Sequence, residues 1–583
     1  MAYKNYEITK DLSKMKLLLS LIFSLVIPIC IMAEERSEDE LIRLATTQLT
    51  ECGMVSYDMT KINTKNIDIN QTFEDDNIIV YSAKGHGSVI MSKDDTFIPV
   101  LGYTNSIISD YSKLPCAMKW WMEEINMQMS SVKAAIYENG ARIETHDKAE
   151  YSEVSPLVTT KWGQSAPYNA STPVIGGSNA PTGCIATAFA QIINYNQWPK
   201  SVAFTGSYST DGGRTFKDGS VSSVYLFPYK NAYGAYSVDG TTTNIASESY
   251  TALEKLNVSR LLRDCGYASE MMYGSNSSGT TSFSLGYGAI QYMAYPEQSV
   301  KIALRDLYTD SEWDNLVYNE IRNGYPVVYA GSDPNYGGHA YVVHGIDKNG
   351  LVAVNWGWQG VYDGFYAMDA MNADGMTFNS NQSVVYGFHP TALETDHITS
   401  QWAGDMYTIK NSADNNSITI STDGIFNYTL NDFKGYVALF VENMKTPEDM
   451  IAYSLVTPED GTVESLYGFS FNDLRIDDII SENLKAGQTY KLYLASSNEP
   501  EADSNVYNKV RVLGGQIYYT MTVDANGKPS ISSSAFDITN DIREIEVKMP
   551  GKTSDKTFNL SGMEVGENHR GIIIRNGRKI LNR

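Results

Sequence analysis

The sequence predicts an α+β protein made of several domains, and three observations support this. At 583 residues the chain is too long for one hydrophobic core, so three or four domains are expected. Residues 156–392 place a helical pattern first and strand patterns later. Residues 393–548 show short alternating strands separated by turns, which is typical of a β-sandwich.

Composition and charge narrow the classes of partner. A hydrophobic content of 42% and an aromatic content of 11% fit well-packed globular domains. The formal net charge is −23. A nucleic-acid-binding protein needs a basic stripe, which we do not find in the sequence. We therefore expect no nucleic-acid partner.

Residues 1–33 have the pattern of a signal peptide. Lys16, the apolar stretch after it and Ala33 supply a basic start, a hydrophobic centre and a small residue at the cut. Met15 is a candidate true start, because the residues before it are polar. A transmembrane anchor is the alternative, but the stretch is short and contains Pro28. We expect export to a secreted or cell-surface location, with no membrane span after cleavage.

Two further segments flank the central ones. Residues 34–155 combine a short acidic helix, alternating strands and the amphipathic helix "AMKWWMEEINMQMSSVKAAIYENG", which together predict a small α+β unit. The segment "HDKAEYSEVSPLV" that follows the second helix is polar and contains a proline, as an exposed link would. Residues 549–583 are basic and contain tight Asn-Gly turns.

The cysteine pattern argues against a disulfide scaffold and against a metal site. Beyond the signal segment, the sequence contains Cys52, Cys116, Cys184 and Cys265. Four cysteines are few for a large exported chain, and no CxxC pair is present to bind zinc. We expect no metal and no cofactor, and the sequence leaves open whether Cys52 pairs with Cys116.

A predicted buried helix opens with a cysteine directly behind a glycine, in "PTGCIATAFAQIINYNQWP". Thr182 is a candidate cap, which would leave Cys184 in the first turn. Unpaired N–H groups and the helix dipole at that end would lower the thiol pKa. Gly183 would leave the sulfur uncrowded. The helix alone favours a nucleophile and a buried thiol equally. Its apolar stripe consists of Ile185, Phe189, Ile192 and Ile193.

A nucleophilic cysteine needs a base, and the sequence contains seven histidines. His339 begins an apolar strand after two glycines, about 155 residues beyond Cys184, a separation similar to that in papain-like proteases. His344 is five residues further on, so its side chain points to the opposite face of a regular strand. We predict His339 as the base and His344 as a satisfied or exposed histidine. The remaining histidines, expected to be solvent-exposed, are His86, His146, His389, His397 and His569.

Two more segments complete the predicted site. Gln164, in a Trp-Gly turn, is a candidate donor to a developing oxyanion beside the main-chain N–H of Cys184. The segment "VNWGWQG" follows the histidine strand as a hairpin partner, which would bring Asn355 and Trp356 against the imidazole. For Trp358 we expect core packing.

Together these motifs resemble a known family. "WGQ.APYN", "GCIATAFAQIINY..WP", "GGHAYVVHGID" and "VNWGW" are similar to the streptopain family of papain-like cysteine proteases, including relatives in Bacteroides and Prevotella. The likeness covers residues 155–390 and implies a papain-like α+β catalytic domain. By this resemblance, Cys184 is the family's nucleophile, His339 its base and Gln164 its oxyanion glutamine. Trp356 is its active-site tryptophan, with Asn355 beside it, and Gly338 is a glycine that lines the cleft.

The chain departs from the family pattern at two positions. His344 replaces a usual aspartate, and Gln359 stands where the family often has glycine, near the cleft. The resemblance also implies that residues 34–155 are an inhibitory prodomain, which covers the cleft until it is cut away. The tail 549–583 is similar to sorting and surface-attachment tails.

The predicted function is that of a secreted cysteine endopeptidase made as a zymogen. Its partners would be protein or peptide substrates and, as inhibitor, its own prodomain. The alternative is a surface-binding or adhesin protein on an inactive protease scaffold, with the β-sandwich as binding module. A transglutaminase-like or amidase use of the same thiol is a third reading.

Overall fold

A computed structural model describes most of the chain beyond the predicted signal peptide, which lies outside the described residues together with Met15. The described residues are 35–56, 67–139, 152–205, 220–229, 234–237, 242–245, 251–333, 337–368, 382–396, 401–404, 406–412, 417–447, 450–477, 479, 484–498, 507–536, 557–559, 564–565, 571–575 and 578–582. Among the described helices, none combines the length and apolar character that a membrane crossing requires.

Helices and short strands precede a strand-rich second half. The α-helices described are α1 Glu38–Ser56, α2 Cys116–Asn139, α3 Cys184–Asn196, α4 Ala252–Ala268, α5 Ser282–Gln291 and α6 Asp310–Arg322. The N-terminal strands are β1 Ile69–Glu74, β2 Ile78–Ala83, β3 Gly87–Ser92 and β4 Val100–Thr104. The central strands are β5 Val174–Ile175, β6 Ser178–Asn179, β7 Ser201–Phe204, β8 Val221–Val224, β9 Gly234–Ser237, β10 Thr242–Ile245, β11 Lys301–Leu304, β12 Val327–Asp333, β13 Gly337–Ile346, β14 Val352–Asn355, β15 Gly364–Tyr366 and β16 Ser383–Tyr386.

The C-terminal part consists mainly of strands in the residues described, with a 3-10 helix at Pro458–Asp460. Its strands are β17 Trp402–Gly404, β18 Thr408–Asn411, β19 Ile418–Asn427, β20 Gly435–Asn443, β21 Met450–Val456, β22 Gly468–Ile476, β23 Thr489–Asn498, β24 Asn508–Lys509, β25 Arg511–Val512, β26 Gly515–Val523, β27 Pro529–Phe536, β28 Thr557–Asn559, β29 Glu564–Val565, β30 Gly571–Arg575 and β31 Arg578–Asn582. Strands β17–β27 form one hydrogen-bonded set around an apolar core, and β28–β31 form a separate four-stranded sheet. The β-sandwich and the domain limits remain predictions.

One antiparallel sheet runs through the N-terminal and central parts. Its order is β1-β2-β3-β4-β15-β14-β13-β12-β16-β11. The two parts join where β4 pairs with β15, with Tyr103 opposite Phe365. Gly364 permits this close approach, because a Cβ there would lie 2.1 Å from the carbonyl oxygen of Tyr103. The predicted prodomain is therefore continuous in hydrogen bonding with the predicted catalytic domain.

Strand β13 lies inside this sheet, and both of its faces are covered. Ala340 and Val342 belong to the core that includes residues of α3. Tyr341 and Val343 belong to the core that includes residues of α2 and α6. Successive side chains of a strand point to opposite faces, so β13 separates the two helical layers.

A buried ion pair fixes the C-terminal strands to the central part. The guanidinium of Arg511 donates to both carboxylate oxygens of Glu312, at 3.0 and 2.8 Å, and to the carbonyl oxygen of Leu307. It also lies 4.0 Å from the ring centroid of Tyr308. Glu312 in turn accepts from the main-chain N–H of Thr309 at 3.0 Å, forming a capping box at the start of α6.

Removing one partner of this pair should be costly. The side chains of Arg511 and Glu312 are 16% and 8% exposed, so Arg511→Met would leave a buried, unpaired carboxylate. We expect a loss of about 3–5 kcal/mol in the free energy of unfolding at neutral pH. Burial acts to raise the pKa of Glu312, but the hydrogen bonds and charge of Arg511 and the hydrogen bonds from Thr309 together outweigh it and lower that pKa. The contribution of Glu312 is therefore present above the carboxyl's unfolded pKa and is lost as the pH falls through the lower folded pKa.

Urea denaturation of the full chain carrying Cys184→Ala, followed at several pH values, measures this effect. Arg475→Met is the matched control, because the Arg475–Asp477 pair is exposed and should contribute less than about 1 kcal/mol. Equal losses in the two variants would contradict the prediction.

Candidate active site

Cys184 is the first residue of α3 and follows a glycine that the backbone requires. Gly183 has φ 85°, a conformation that disfavours residues with a side chain. A Cβ at this position would also lie 2.6 Å from the Sδ atom of Met271. Any other residue would therefore disturb the turn that presents the sulfur.

The predicted cap of this helix is wrong. Gly183 occupies the N-cap position, and no side chain bonds the first turn. The hydroxyl of Thr182 instead lies 2.8 Å from the hydroxyl of Thr187, in the buried interior. The free N–H groups of the first turn therefore remain available to the sulfur.

The expected lowering of the Cys184 pKa is also wrong for this conformation. Burial raises the pKa of the thiol, whereas the main-chain N–H groups of Ala340, Ile185 and Cys184 itself act to lower it. Desolvation disfavours the charged thiolate, and these three donors do not outweigh it. The sulfur is therefore a protonated thiol at neutral pH.

His339 lies on the other face of the sheet. Its Nε2 atom is 2.9 Å from the carbonyl oxygen of Trp356, which can only accept, so this nitrogen carries a proton. The imidazole stacks on Trp358 with 4.8 Å between ring centroids. Burial lowers the pKa of His339 to about 4, although the hydrogen bond to Trp356 acts in the opposite direction. The ring is therefore neutral at pH 7.

Cys184 and His339 are consequently not in contact, and the predicted bonding distance between them is wrong for this structure. No hydrogen bond joins the two side chains, and neither group contributes to the pKa of the other. The main-chain N–H of Ala340, the residue after the histidine, contacts the sulfur. Because neighbouring side chains of β13 point to opposite faces, the ring of His339 points away from α3.

The main chain of Gln164 lies close to the segment that leads into Cys184. Its carbonyl oxygen accepts from the N–H of Thr182 at 3.0 Å, which ties this turn to the segment just before Cys184. The side chain of Gln164 is half-buried. Gln359 lies over the same turn with φ 60°, and a Cβ on Gly163 would meet its Cγ atom at 2.7 Å.

Asn355 is on the α3 face, opposite Val342 of β13. Its Nδ2 atom donates to the carbonyl oxygen of Thr160 at 2.7 Å, and its Oδ1 atom accepts from the N–H of Gly357 at 3.0 Å. Asn355 therefore does not contact His339, and that expectation is wrong for this conformation. Its side-chain amide hydrogen bonds instead to buried groups on the α3 face.

Trp356 does contact the histidine, through its carbonyl oxygen and with 6.3 Å between ring centroids. The indole is fully buried and donates to the carbonyl oxygen of Tyr362 at 3.1 Å. The N–H of Trp356 donates to the carboxylate of Asp363 at 3.1 Å. Trp358 is only partly buried and stacks on Trp356 as well as on His339.

Gly338 lines a cavity of about 160 Å3 beside His339. The N-terminal end of α2 forms the opposite wall, with Cys116 and Trp120. The indole of Trp120 is so close to Gly331 that a Cβ there would lie 2.2 Å from it. The predicted prodomain thus covers the region in which Gly338 and His339 lie.

The other histidines and cysteines have varied surroundings. His344 is buried and its Nδ1 atom accepts from the N–H of Val158 at 3.1 Å. His389 was expected to be exposed, but it is buried between Asp396 and Glu320, at 2.8 and 3.3 Å. His86 is half-buried, and Cys265 is a buried free thiol. His146, His397 and His569 lie outside the described residues.

Cys116 is a free, exposed thiol, so the pair with Cys52 that the sequence left open is not formed. Within the described residues, no three His, Cys, Asp or Glu side chains come together in a way that could hold a metal ion.

Sequence reasoning missed one residue that contacts several parts of this site. Gln191, on α3, has no exposed surface and hydrogen bonds to Thr160, Trp162 and Asn355. A polar residue within the buried stretch of an otherwise apolar helix was the available signal, because a buried amide needs partners.

Comparisons with known proteins agree on one family. Residues 162–366 match the peptidase C10 family. Streptopain of Streptococcus pyogenes is 31% identical over 341 residues, which cover 54% of this chain and 81% of streptopain. The thiol protease/hemagglutinin PrtT of Porphyromonas gingivalis is 26% identical over 363 residues, covering 59% of this chain and 40% of that protein. A structure of a Prevotella intermedia prointerpain A fragment is 29% identical, covers 55% of this chain and 98% of its own, and gives a TM-score of 0.45.

Asp363 should make the stability of the full chain depend on pH. Burial raises the pKa of this carboxyl to about 7, against the opposing effects of Lys161 and the N–H of Trp356. The folded chain therefore holds this proton more tightly than the unfolded chain. Its contribution is fully present below the unfolded pKa near 4 and is lost as the pH rises towards 7, by at most about 1.4 kcal/mol per pH unit.

Unfolding free energies of the Cys184→Ala chain between pH 4 and pH 7 measure this slope. Asp363→Asn keeps the acceptor for Trp356 and should flatten the slope, whereas Glu459→Gln, at an exposed carboxylate, should leave it unchanged. A slope that persists in Asp363→Asn would assign the effect to other groups.

Proposed function

The chain belongs to the peptidase C10 family of cysteine peptidases, and on this premise we propose that Cys184 is the nucleophile with which it hydrolyses peptide bonds in proteins. The support is its place at the first turn of α3, with N–H groups of the main chain next to the sulfur. The proposed base is His339, and the proposed oxyanion donors are the side-chain amide of Gln164 and the N–H of Cys184.

In the mature enzyme the imidazole of His339 takes the thiol proton, and the sulfur attacks the carbonyl carbon of the substrate. The resulting oxyanion accepts hydrogen bonds from the two donors, each typically worth about 3–4 kcal/mol. His339 then gives its proton to the leaving amine, and the C–N bond breaks to leave a thioester. Water attacks the thioester, passes a proton to His339 and releases the acid product and the thiol. Trp356 and Asn355 support the imidazole, and Gly338 lines the substrate cleft.

The described conformation is a latent zymogen of this peptidase. One observation carries this proposal: the Nε2 atom of His339 bonds to the carbonyl oxygen of Trp356, on the sheet face that α2 covers, while Cys184 lies at the other face. The raised pKa of Cys184 and the lowered pKa of His339 both oppose a thiolate–imidazolium pair. Activation therefore requires removal of residues 34–155 and rearrangement at the start of β13, so that the ring reaches the α3 face.

Export and attachment complete the proposal. Residues 1–33 act as the signal peptide, and the tail 549–583 acts in sorting at the cell surface. The support is the sequence pattern described above. Cleavage between the predicted prodomain and catalytic domain then yields the secreted mature peptidase.

Cys184→Ala should abolish both peptidase activity and self-processing, because the attacking sulfur is removed. Casein hydrolysis and N-terminal sequencing of the secreted products measure the two effects. Cys265→Ala, at a thiol buried among apolar side chains, is the matched control and should retain both. Full activity in the Cys184→Ala chain would end the assignment.

Epoxide inhibitors of cysteine proteases should label Cys184 at least about tenfold faster after processing than before it. The physical reason is that only the processed site can form a thiolate beside an imidazolium. Mass spectrometry of chains carrying Cys116→Ala, which removes the exposed thiol, gives the two rates. Equal rates would contradict latency, and no labelling in either form would favour a binding protein on an inactive scaffold.

A further inference from the structure

The carboxamide of Gln191 connects three segments of the candidate site. Its Oε1 atom accepts from the hydroxyl of Thr160 at 2.9 Å, from the N–H of Trp162 at 3.3 Å and from Nδ2 of Asn355 at 3.1 Å. Its Nε2 atom donates to Oδ1 of Asn355 at 3.1 Å. The two amides thus form a reciprocal pair in the interior, where both side chains are at most 2% exposed.

These contacts lie between the groups that the proposed reaction uses. Gln191 is seven residues after Cys184, about two turns along the same face of α3. Trp162 is two residues before Gln164, whose carbonyl oxygen is itself bonded to the N–H of Thr182. Asn355 directly precedes Trp356 and also accepts from the N–H of Gly357. One buried side chain therefore joins the nucleophile helix, the oxyanion turn and the turn that follows β14.

We propose that Gln191 is a positioning residue for the peptidase reaction, and this inference rests on the proposed function. Its amide fixes the Trp162–Gln164 turn and Asn355 relative to the helix that carries Cys184. Because the hydrogen bonds are complete while His339 is displaced, this part of the site is already assembled in the latent chain. Maturation then has to move the histidine without rebuilding the oxyanion turn.

The expected fall in kcat can be estimated from the loss of transition-state stabilisation when an oxyanion donor is displaced. Removing one oxyanion donor outright typically lowers kcat by about 100- to 1,000-fold. A turn that has lost its anchor keeps the donor but holds it less well. For Gln191→Met, which has nearly the same volume and no amide, we therefore expect kcat to fall by about 10- to 100-fold. KM should change by less than about threefold, because the substrate cleft at Gly338 is formed by other elements.

Asn194→Leu is the matched control for lost buried hydrogen bonds. Asn194 is on the same helix and is also buried, but its amide bonds to the main chain of Tyr229, at 2.7 and 3.3 Å, away from the oxyanion turn. The Asn194→Leu variant should have a melting temperature lowered about as much as that of Gln191→Met, while its kcat stays within about threefold of wild type. Thr160→Val removes a single hydroxyl bonded to Gln191 and should lower kcat by about three- to tenfold.

The full chains should be matured in trans by tagged wild-type enzyme, which is then removed on a resin, and assayed on a peptide substrate. In the double variant, we expect the loss of kcat to be smaller than the product of the losses in Gln191→Met and Thr160→Val. The pH profile of kcat/KM should keep its wild-type midpoints, because the thiol and imidazole are unchanged. If Gln191→Met fails to fold, Thr160→Val alone decides.

Three results would overturn the inference. The first is a wild-type kcat in Gln191→Met or, where that variant does not fold, in Thr160→Val. The second is an equal loss of kcat in Gln191→Met and Asn194→Leu. The third is a shift of the midpoints in the pH profile of kcat/KM. Failure of the proposed function is distinct, because wild-type protein would then neither cleave the substrate nor lose activity through Cys184→Ala.

Discussion

The alternation of side chains along β13 is the constraint on which the state of this site depends. His339 points to the α2 face, and the N–H of the next residue contacts the sulfur of Cys184 from the strand itself. A strand cannot direct two neighbouring side chains to one face without a local change of backbone. On the proposed mechanism, the ring can reach Cys184 only through a backbone change at the start of β13, where Gly337 and Gly338 lie.

Hydrogen bonds and packing from several parts of the chain hold β13 and its neighbours in place. On the α3 face, hydrogen bonds of Gln191, Asn355 and Thr182 join α3 and the Trp162–Gln164 turn into one buried layer. On the opposite face, α2 comes from the N-terminal part of the chain, and β4 of the same part continues the sheet at β15. The ion pair of Arg511 and Glu312 holds the C-terminal strands beside α6.

Local patterns were sufficient to predict several elements of this structure. The positions of Cys184, of α2 and of the strand that carries His339 all follow from short stretches of sequence. Features that depend on distant segments were not predictable. The pKa of Cys184 is raised by burial, and the ring of His339 is held by a carbonyl oxygen from another strand. Asn355 was expected beside the imidazole because it is its hairpin neighbour, but it pairs instead with the buried amide of Gln191, which lies on a helix more than 160 residues away in the sequence.

The pairing of β4 with β15 has a consequence for the mature protein. Departure of the N-terminal strands would turn β15 from an interior strand into an edge strand, with unsatisfied main-chain N–H and C=O groups at Gly364–Tyr366. Such an edge can recruit strands from other molecules and promote self-association. Its length of three residues keeps the hazard small, which would suit the proposed loss of the N-terminal part.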